Sequence, residues 1–320
     1  MTVATSASKK KESVSPKTLP TADKTVGMVG LGIMGSAMAA NLVKAGFTVY
    51  GFDPVAKACA RLKKVGGHVC TGVTELAQQC SHIILSLPSE AALDQVCLEL
   101  IAAEEKGAKG LIVAETSTLP ETAKLRAHAL LSKHKITLLD CPLSGTGAQA
   151  VNRDLAIYAS GQAKAIKAMI PVFEGFARAR YDVGGFGNGI RMKLVANLLV
   201  AIHNVSTAEA IMMGVRCGLD AATIVKVVAD GAGGSRMFTV RGPVMVDRSW
   251  GEATMKVSTW QKDMRLINDA LQYSDTPAPL FAACMPIYNA AMALGHGMDD
   301  TAAVYAVLER MVGKTATKRG

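Results

Sequence analysis

Aromatic residues are scarce, at 5% of the chain, and charged residues make up only 19%. Half of the 320 residues are nevertheless apolar, which supplies buried cores and excludes a disordered main state. No run of about 18 or more apolar residues occurs, so neither a membrane-spanning helix nor a membrane partner is expected. The longest uncharged run, Thr276 to Met298, is broken by Pro277, Pro279 and Pro286. CxxC pairs are missing too: the seven cysteines are scattered and odd in number. They read as reduced thiols of a cytoplasmic protein, not as a disulfide framework or a zinc site. The six histidines show no HxxxH pairing, so no bound metal is expected. A basic face for nucleic acid is also lacking. The formal charge is +9, but residues 1–24 and the last seven residues carry +3 each, leaving only +3 for the body. That mild excess suits an anionic substrate or cofactor.

At about 150 residues per domain, the length predicts two domains. Residues 1–24, rich in Ser, Thr, Lys and Pro, read as a disordered tail. They contain no apolar segment after the lysines and no Arg, which argues against a secretory or mitochondrial leader. From Thr25 the pattern is α/β. Strand-like runs stand at Val26–Val29, Thr48–Phe52, Ile83–Leu87, Leu111–Ala114 and Thr137–Leu139, with later candidates at Leu155–Ala159 and Ala179–Val183. Helical stretches separate them, as in a mostly parallel, doubly wound sheet of the Rossmann type. At the glycine cluster 184–189 the alternation stops. Ile190–Cys217, Ala221–Ala229, Thr259–Tyr273, Phe281–Leu294 and Asp299–Met311 all read as helix. The expected organisation is a Rossmann domain at 25–187, an all-α domain at 188–313 and a basic tail at 314–320.

The first chemical motif is Gly30-Leu31-Gly32-Ile33-Met34-Gly35, placed between a strand and a helix. Gly30 permits the tight turn, Gly32 lets the backbone approach a pyrophosphate, and Gly35 lets helix and strand pack closely. The helix then offers free N–H groups and the positive end of its dipole to phosphates. Asp53 follows Gly32 by 21 residues, near the spacing of about 20 at which a carboxylate reaches the cofactor ribose. It accepts from the 2′-OH of NAD and repels the 2′-phosphate of NADP. Pro54, Val55 and Ala56 follow, with no adjacent Arg to hold that phosphate. NAD is therefore the expected cofactor. A plainer role, capping the turn before Pro54, is compatible with this one.

The stretch Met28 to Asn41 resembles the N-terminal signature of the 3-hydroxyisobutyrate dehydrogenase family, β-hydroxyacid dehydrogenases similar in plan to 6-phosphogluconate dehydrogenase. The resemblance runs from about residue 25 to 312. It implies that Leu87-Pro88 lies by the cofactor and that Thr118, in Ser117-Thr118 with Pro120, touches the nicotinamide side. It implies that Asp140-Cys141-Pro142-Leu143-Ser144-Gly145-Thr146 holds the substrate, that Lys193 and Asn197 lie on the catalytic helix, and that Lys262-Asp263 sits beside the cofactor. Three positions depart from the family pattern. Thr146 replaces a usual Gly, Ala196 replaces a frequent Asn, and Arg236 stands where Trp or another bulky group is common.

Residue chemistry agrees with the resemblance. The loop from Pro142 to Gly147 can offer backbone N–H groups and the Ser144 hydroxyl to a carboxylate, although a plain strand-to-helix turn reads the same way. An isolated helical Lys is usually a solvated charge. Lys193, however, stands in an apolar helix with no further charge before Glu209, and Asn197 shares its face at i+4. A lysine desolvated beside a cleft has its pKa lowered and can exchange a proton with a substrate hydroxyl. The expectation is NAD-dependent oxidation of a small β-hydroxy acid, 3-hydroxyisobutyrate-like or a short sugar acid. Ser144, Gly145, Thr146 and Asn197 would bind substrate and Lys193 would act as general base. Two alternatives stand: a reductase of small semialdehydes such as tartronate semialdehyde, and an inactive dehydrogenase fold serving as an interaction module. Arg236 is read either as a surface residue at a helix end or as a grip on a second polar part of the substrate. The apolar C-terminal half predicts a homo-oligomer, and the resemblance implies a homodimer or homotetramer.

Overall fold

The computed structural model describes residues 24–313, so of the tails expected at 1–24 and 314–320, residues 1–23 and 314–320 lie outside the described residues. Strands β1 (Thr25–Val29), β2 (Thr48–Phe52), β3 (His68–Val69), β4 (His82–Leu85), β5 (Ile112–Glu115) and β6 (Thr137–Asp140) alternate with helices. These are α1 (Ile33–Lys44), α2 (Ala56–Lys64), α3 (Val73–Gln79), α4 (Glu90–Glu105) and α5 (Glu121–Lys133). The strands form one parallel sheet in the order β3-β2-β1-β4-β5-β6, the doubly wound order. Each inner strand is apolar on both sides because helices cover both faces. Val26, Met28, Ile84, Ala114 and Leu139 enter one core, while Val29, Ile83, Leu85, Val113 and Leu138 enter the other.

After β6 the chain forms β7 (Leu143–Ser144), α6 (Gly147–Val151), β8 (Ala156–Ala159), α7 (Ala163–Phe176) and β9 (Ala179–Asp182). The runs at 155–159 and 179–183 are strands, but they do not extend the main sheet. They form a second sheet in the order β7-β8-β9, with β7 antiparallel to β8. An antiparallel Asp140–Ser160 bridge turns the chain out of the first sheet. Two-residue strands such as β3 and β7 carry no readable alternation, which is why the sequence did not announce them.

An all-α domain follows: α8 (Asn188–Arg216), α9 (Ala221–Asp230), α10 (Arg236–Val246), α11 (Val257–Tyr273), α12 (Pro279–Ala293) and α13 (Val304–Val312). Helix α10 was not among the helices expected from the sequence, and Pro243 stands inside it. Ser235 nevertheless caps its start, accepting from Phe238 N at 3.0 Å. By length and composition α8 could cross a membrane, although the sequence predicted no such helix. Here it is the central helix of its domain, with Ala201, Val205, Ala208 and Ile211 in a core shared with α9 to α13. Its buried Asn204 donates to the Thr301 carbonyl at 2.8 Å and to Tyr288 Oη at 3.1 Å.

Candidate active site

The loops that leave β1, β2, β4, β5 and β6 all emerge at the carboxyl edge of the sheet, where open α/β sheets bind ligands. In the first loop each glycine has a separate reason. Gly30 has φ +87°, and a Cβ there would come within 2.2 Å of the Ser86 carbonyl oxygen. A Cβ on Gly35 would sit 1.9 Å from the Gly30 oxygen. A Cβ on Gly32 would meet nothing within 4 Å among the described residues, so the backbone there is open to a ligand. The first bond of α1 runs from Ser36 N to the Gly32 carbonyl, so the amides of Ile33, Met34 and Gly35 precede it. Ile33 is 76% exposed. An open cradle edged by helix N-terminal amides fits a dinucleotide pyrophosphate.

Asp53, just beyond β2, accepts from Leu31 N at 2.7 Å and from Val55 N at 2.8 Å. It therefore both caps its turn and braces the glycine loop. The Leu31 amide is taken by this bond and is not free for phosphate. Arg61 Nη2 donates to the Leu31 carbonyl at 2.9 Å. The sequence reading, confined to the residues beside Asp53, missed this arginine; α2 brings it back onto the same loop.

The strand β5 loop is built from a buried carboxylate. Glu115 Oε1 accepts from Ser117 N at 2.8 Å, and Ser117 Oγ accepts from Leu87 N at 2.7 Å. This ties Leu87-Pro88 to the segment carrying Thr118. Lys262, on α11, donates to the Thr118 carbonyl and stands 3.0 Å from Asp263 Oδ1. Asp263 Oδ2 accepts from Asn197 Nδ2 at 2.9 Å. Thr118, Lys262, Asp263 and Asn197 thus form one connected group across the two domains.

Lys193 lies one turn before Asn197 on α8 and is half-buried. Desolvation lowers its pKa below the ordinary lysine value; Asp263 pulls it back up, and Lys262 lowers it further. The start of α8 is fixed against the sheet. Ile190 N donates to Asp140 Oδ2 at 2.7 Å and Gly189 N to Ser160 Oγ at 2.9 Å. A Cβ on Gly189 would come 2.5 Å from the Asp140 carbonyl oxygen, so only glycine allows this approach. Asp140 in turn is held by Lys124 Nζ at 2.6 Å, and the same amine lies 2.7 Å from Glu115 Oε2. Burial works against the charge on Lys124, but the two carboxylates outweigh it and hold its pKa above the usual value.

The loop after β6 carries Ser144, Gly145 and Thr146. Gly145 has φ +138°, and a Cβ there would strike Leu155 at 2.6 Å. Thr146 caps α6 in a capping box: its Oγ1 accepts from Gln149 N at 3.5 Å, and its N–H donates to Gln149 Oε1 at 3.0 Å. The Thr146 N–H is thus engaged and its Oγ1 accepts one bond, while its O–H stays able to donate. A Cβ on Gly147 would come 2.6 Å from Ile33 Cγ2, which places this loop against the cofactor cradle. Arg236 is the first residue of α10 and reaches Asp154 Oδ2 at 2.5 Å.

Residues 25–185 match the family described as the NAD binding domain of 6-phosphogluconate dehydrogenase. Residues 187–308 match the NAD-binding family of NADP-dependent 3-hydroxyisobutyrate dehydrogenase. The chain belongs to the 3-hydroxyisobutyrate dehydrogenase family. It is an NAD(P)-dependent oxidoreductase acting on CH–OH groups, in the wider group related to 6-phosphogluconate dehydrogenase. It is similar to L-threonate dehydrogenase of Cupriavidus necator, 28% identical over 88% of this chain and 95% of that protein. It is also similar to glyoxylate/succinic semialdehyde reductase 1 of Arabidopsis thaliana, 30% identical over 87% of this chain and 96% of that one. In three dimensions it resembles Mycobacterium tuberculosis 3-hydroxyisobutyrate dehydrogenase with L-serine, with a TM-score of 0.80, 28% identity, and coverage of 89% and 99% of the two chains.

Proposed function

We propose that this family member oxidises a small polar hydroxy acid with NAD, using Lys193 as the general base. The observation that carries the reading is the Lys193 amine. It is desolvated, has a lowered pKa, and stands on the helix that also presents Asn197. Held by the amides at the start of α1, with Asp53 at its ribose, bound NAD would supply the hydride acceptor for the carbinol carbon. Lys193 takes the hydroxyl proton as that C–H pair departs, so the carbinol becomes a carbonyl and the amine becomes an ammonium. Asp263 lowers the cost of that new charge. Asn197, held by Asp263, keeps a polar wall beside the amine. The Ser144 hydroxyl, the Gly145 backbone and the Thr146 hydroxyl receive the substrate carboxylate. Asp53 accepts from the cofactor ribose and favours NAD over NADP.

The molecules named for the relatives support a substrate with a carboxylate and at least one hydroxyl. The Arabidopsis relative favours a second reading, semialdehyde reduction, in which a protonated Lys193 returns its proton to the carbonyl oxygen. A panel of L-threonate, L-serine and 3-hydroxyisobutyrate, each supplied with NAD or NADP, tests the first reading by absorbance at the reduced nicotinamide band. Reduction of NAD by at least one acid is expected. Turnover of none of them, with rapid consumption of NADH or NADPH by glyoxylate or succinic semialdehyde, favours the second.

A further inference from the structure

Two charged residues from different domains meet beside the loop that carries Ser144 and Gly145. Arg236 opens α10, and its Nη2 donates to Asp154 Oδ2 at 2.5 Å. Asp154 lies between α6 and β8, and its carboxylate is shared three ways. Gln149 Nε2 donates to the same oxygen at 2.9 Å, and Arg178 Nε donates to the other at 2.8 Å. Gln149 then accepts the Thr146 N–H at 3.0 Å. A continuous line of hydrogen bonds therefore runs from the first residue of α10 to the amide of Thr146. It passes close under the loop: the Asp154 carbonyl oxygen stands 3.4 Å from where a Gly145 Cβ would be.

The Arg236 side chain is 61% exposed, and exposed ion pairs contribute little to stability. Its position explains it better than its strength does. The bond spans 82 residues of sequence and joins the helical domain to the segment that shapes the substrate loop. Gln149 and Arg178 hydrogen bonds, with the nearby Arg236 charge, hold the Asp154 carboxyl down at about 2, so the pair stays ionised through the neutral range.

We propose that Arg236 is a positioning residue. By holding Asp154 it fixes Gln149 and Thr146, so the substrate loop keeps its anion-receiving shape only while the helical domain is docked. This rests on the reading of Ser144 to Thr146 as the substrate loop. It differs from a direct grip of Arg236 on substrate.

The test uses the full chain with Arg236→Met, which keeps the stem and removes the donors. Faster hydrogen exchange is expected at the amides of residues 144–149, with exchange in the main sheet unchanged. KM for whichever of L-threonate or L-serine is oxidised should rise about two- to fivefold, the scale of one exposed ion pair, while kcat stays unchanged. Arg236→Lys should recover part of that loss. Gln149→Leu cuts the same line at its middle, so the double variant should be no worse than Gln149→Leu alone. Additive losses would mean that Arg236 acts on substrate by itself and would overturn the proposal, as would unchanged exchange at 144–149. Exchange needs no turnover. If wild-type protein oxidises no hydroxy acid, the functional reading falls while the positioning role is still decided.

Discussion

A lysine accepts a proton only when neutral, and desolvation brings Lys193 to that state at lower pH than a solvated lysine. Oxidation should therefore rise with pH through this lowered pKa and level off above it, while reduction should fall over the same range. Asp263→Asn removes the charge that pulls the pKa upward, so the rising limb should move to lower pH in a pH–rate profile. Lys193→Ala should cut turnover at least ~100-fold, the scale of lost acid–base catalysis, with NAD affinity nearly unchanged. A limb that stays put in Asp263→Asn would detach it from Lys193. Asp53 and Arg61 make a second residue-scale case. Both hold the Leu31 backbone, one at its amide and one at its carbonyl. Asp53→Ala should narrow the preference for NAD. Arg61→Ala should depress residual NADP use more than NAD use, read as the ratio of kcat/KM values. The glycine motif and Asp53 were legible because each needs a fixed residue type at a fixed spacing. Arg61 was not, since its approach depends on where α2 lands.

Between elements, the buried group Lys124, Glu115 and Asp140 has the widest reach. It joins α5 to the ends of β5 and β6. Through Asp140 it caps α8, and through Glu115 it orders the Ser117 loop. Breaking a buried ion pair by removing one partner costs about 3–5 kcal/mol, because the other charge is left unpaired. Lys124→Met leaves two buried carboxylates facing each other. It should lower stability by that order in urea unfolding, and the surviving folded enzyme should show reduced kcat through the displaced start of α8. Loss of stability below about 1 kcal/mol would mean that the carboxylates take up protons or water without strain. Lys124 looked like any helical lysine in the sequence, since nothing local marks a charge as buried. The alternating elements themselves were legible, because apolar runs and glycine breaks are local. The split into two sheets was not, because it depends on the Asp140–Ser160 pairing across 20 residues.

On the scale of the whole molecule, the helical domain buries one side of its long central helix and leaves another side apolar. Asn197, Ala201, Asn204 and Ala208 face inward on α8, while Val195 and Leu199, on a different face, are 60% and 47% exposed. Further exposed apolar side chains stand at Met213 on α8, at Leu219 just after it, and at Val227 and Leu280 on neighbouring helices. Exposed apolar side chains repeated along a helix face mark a candidate interaction site. A second copy of the chain fits it best. Like-for-like apolar faces are self-complementary under two-fold symmetry, and the body carries too little net charge to repel itself. We therefore expect a homodimer or homotetramer built on α8 and its neighbours. Light scattering at micromolar concentration should give a multiple of the 33.5 kDa chain mass. Val195→Glu with Leu199→Glu should shift that mass toward the monomer without unfolding the chain, because both side chains already face solvent in the single subunit. A monomeric wild type would leave this apolar face without a partner of its own kind. An oligomer untouched by the double variant would move the contact elsewhere on the helical domain.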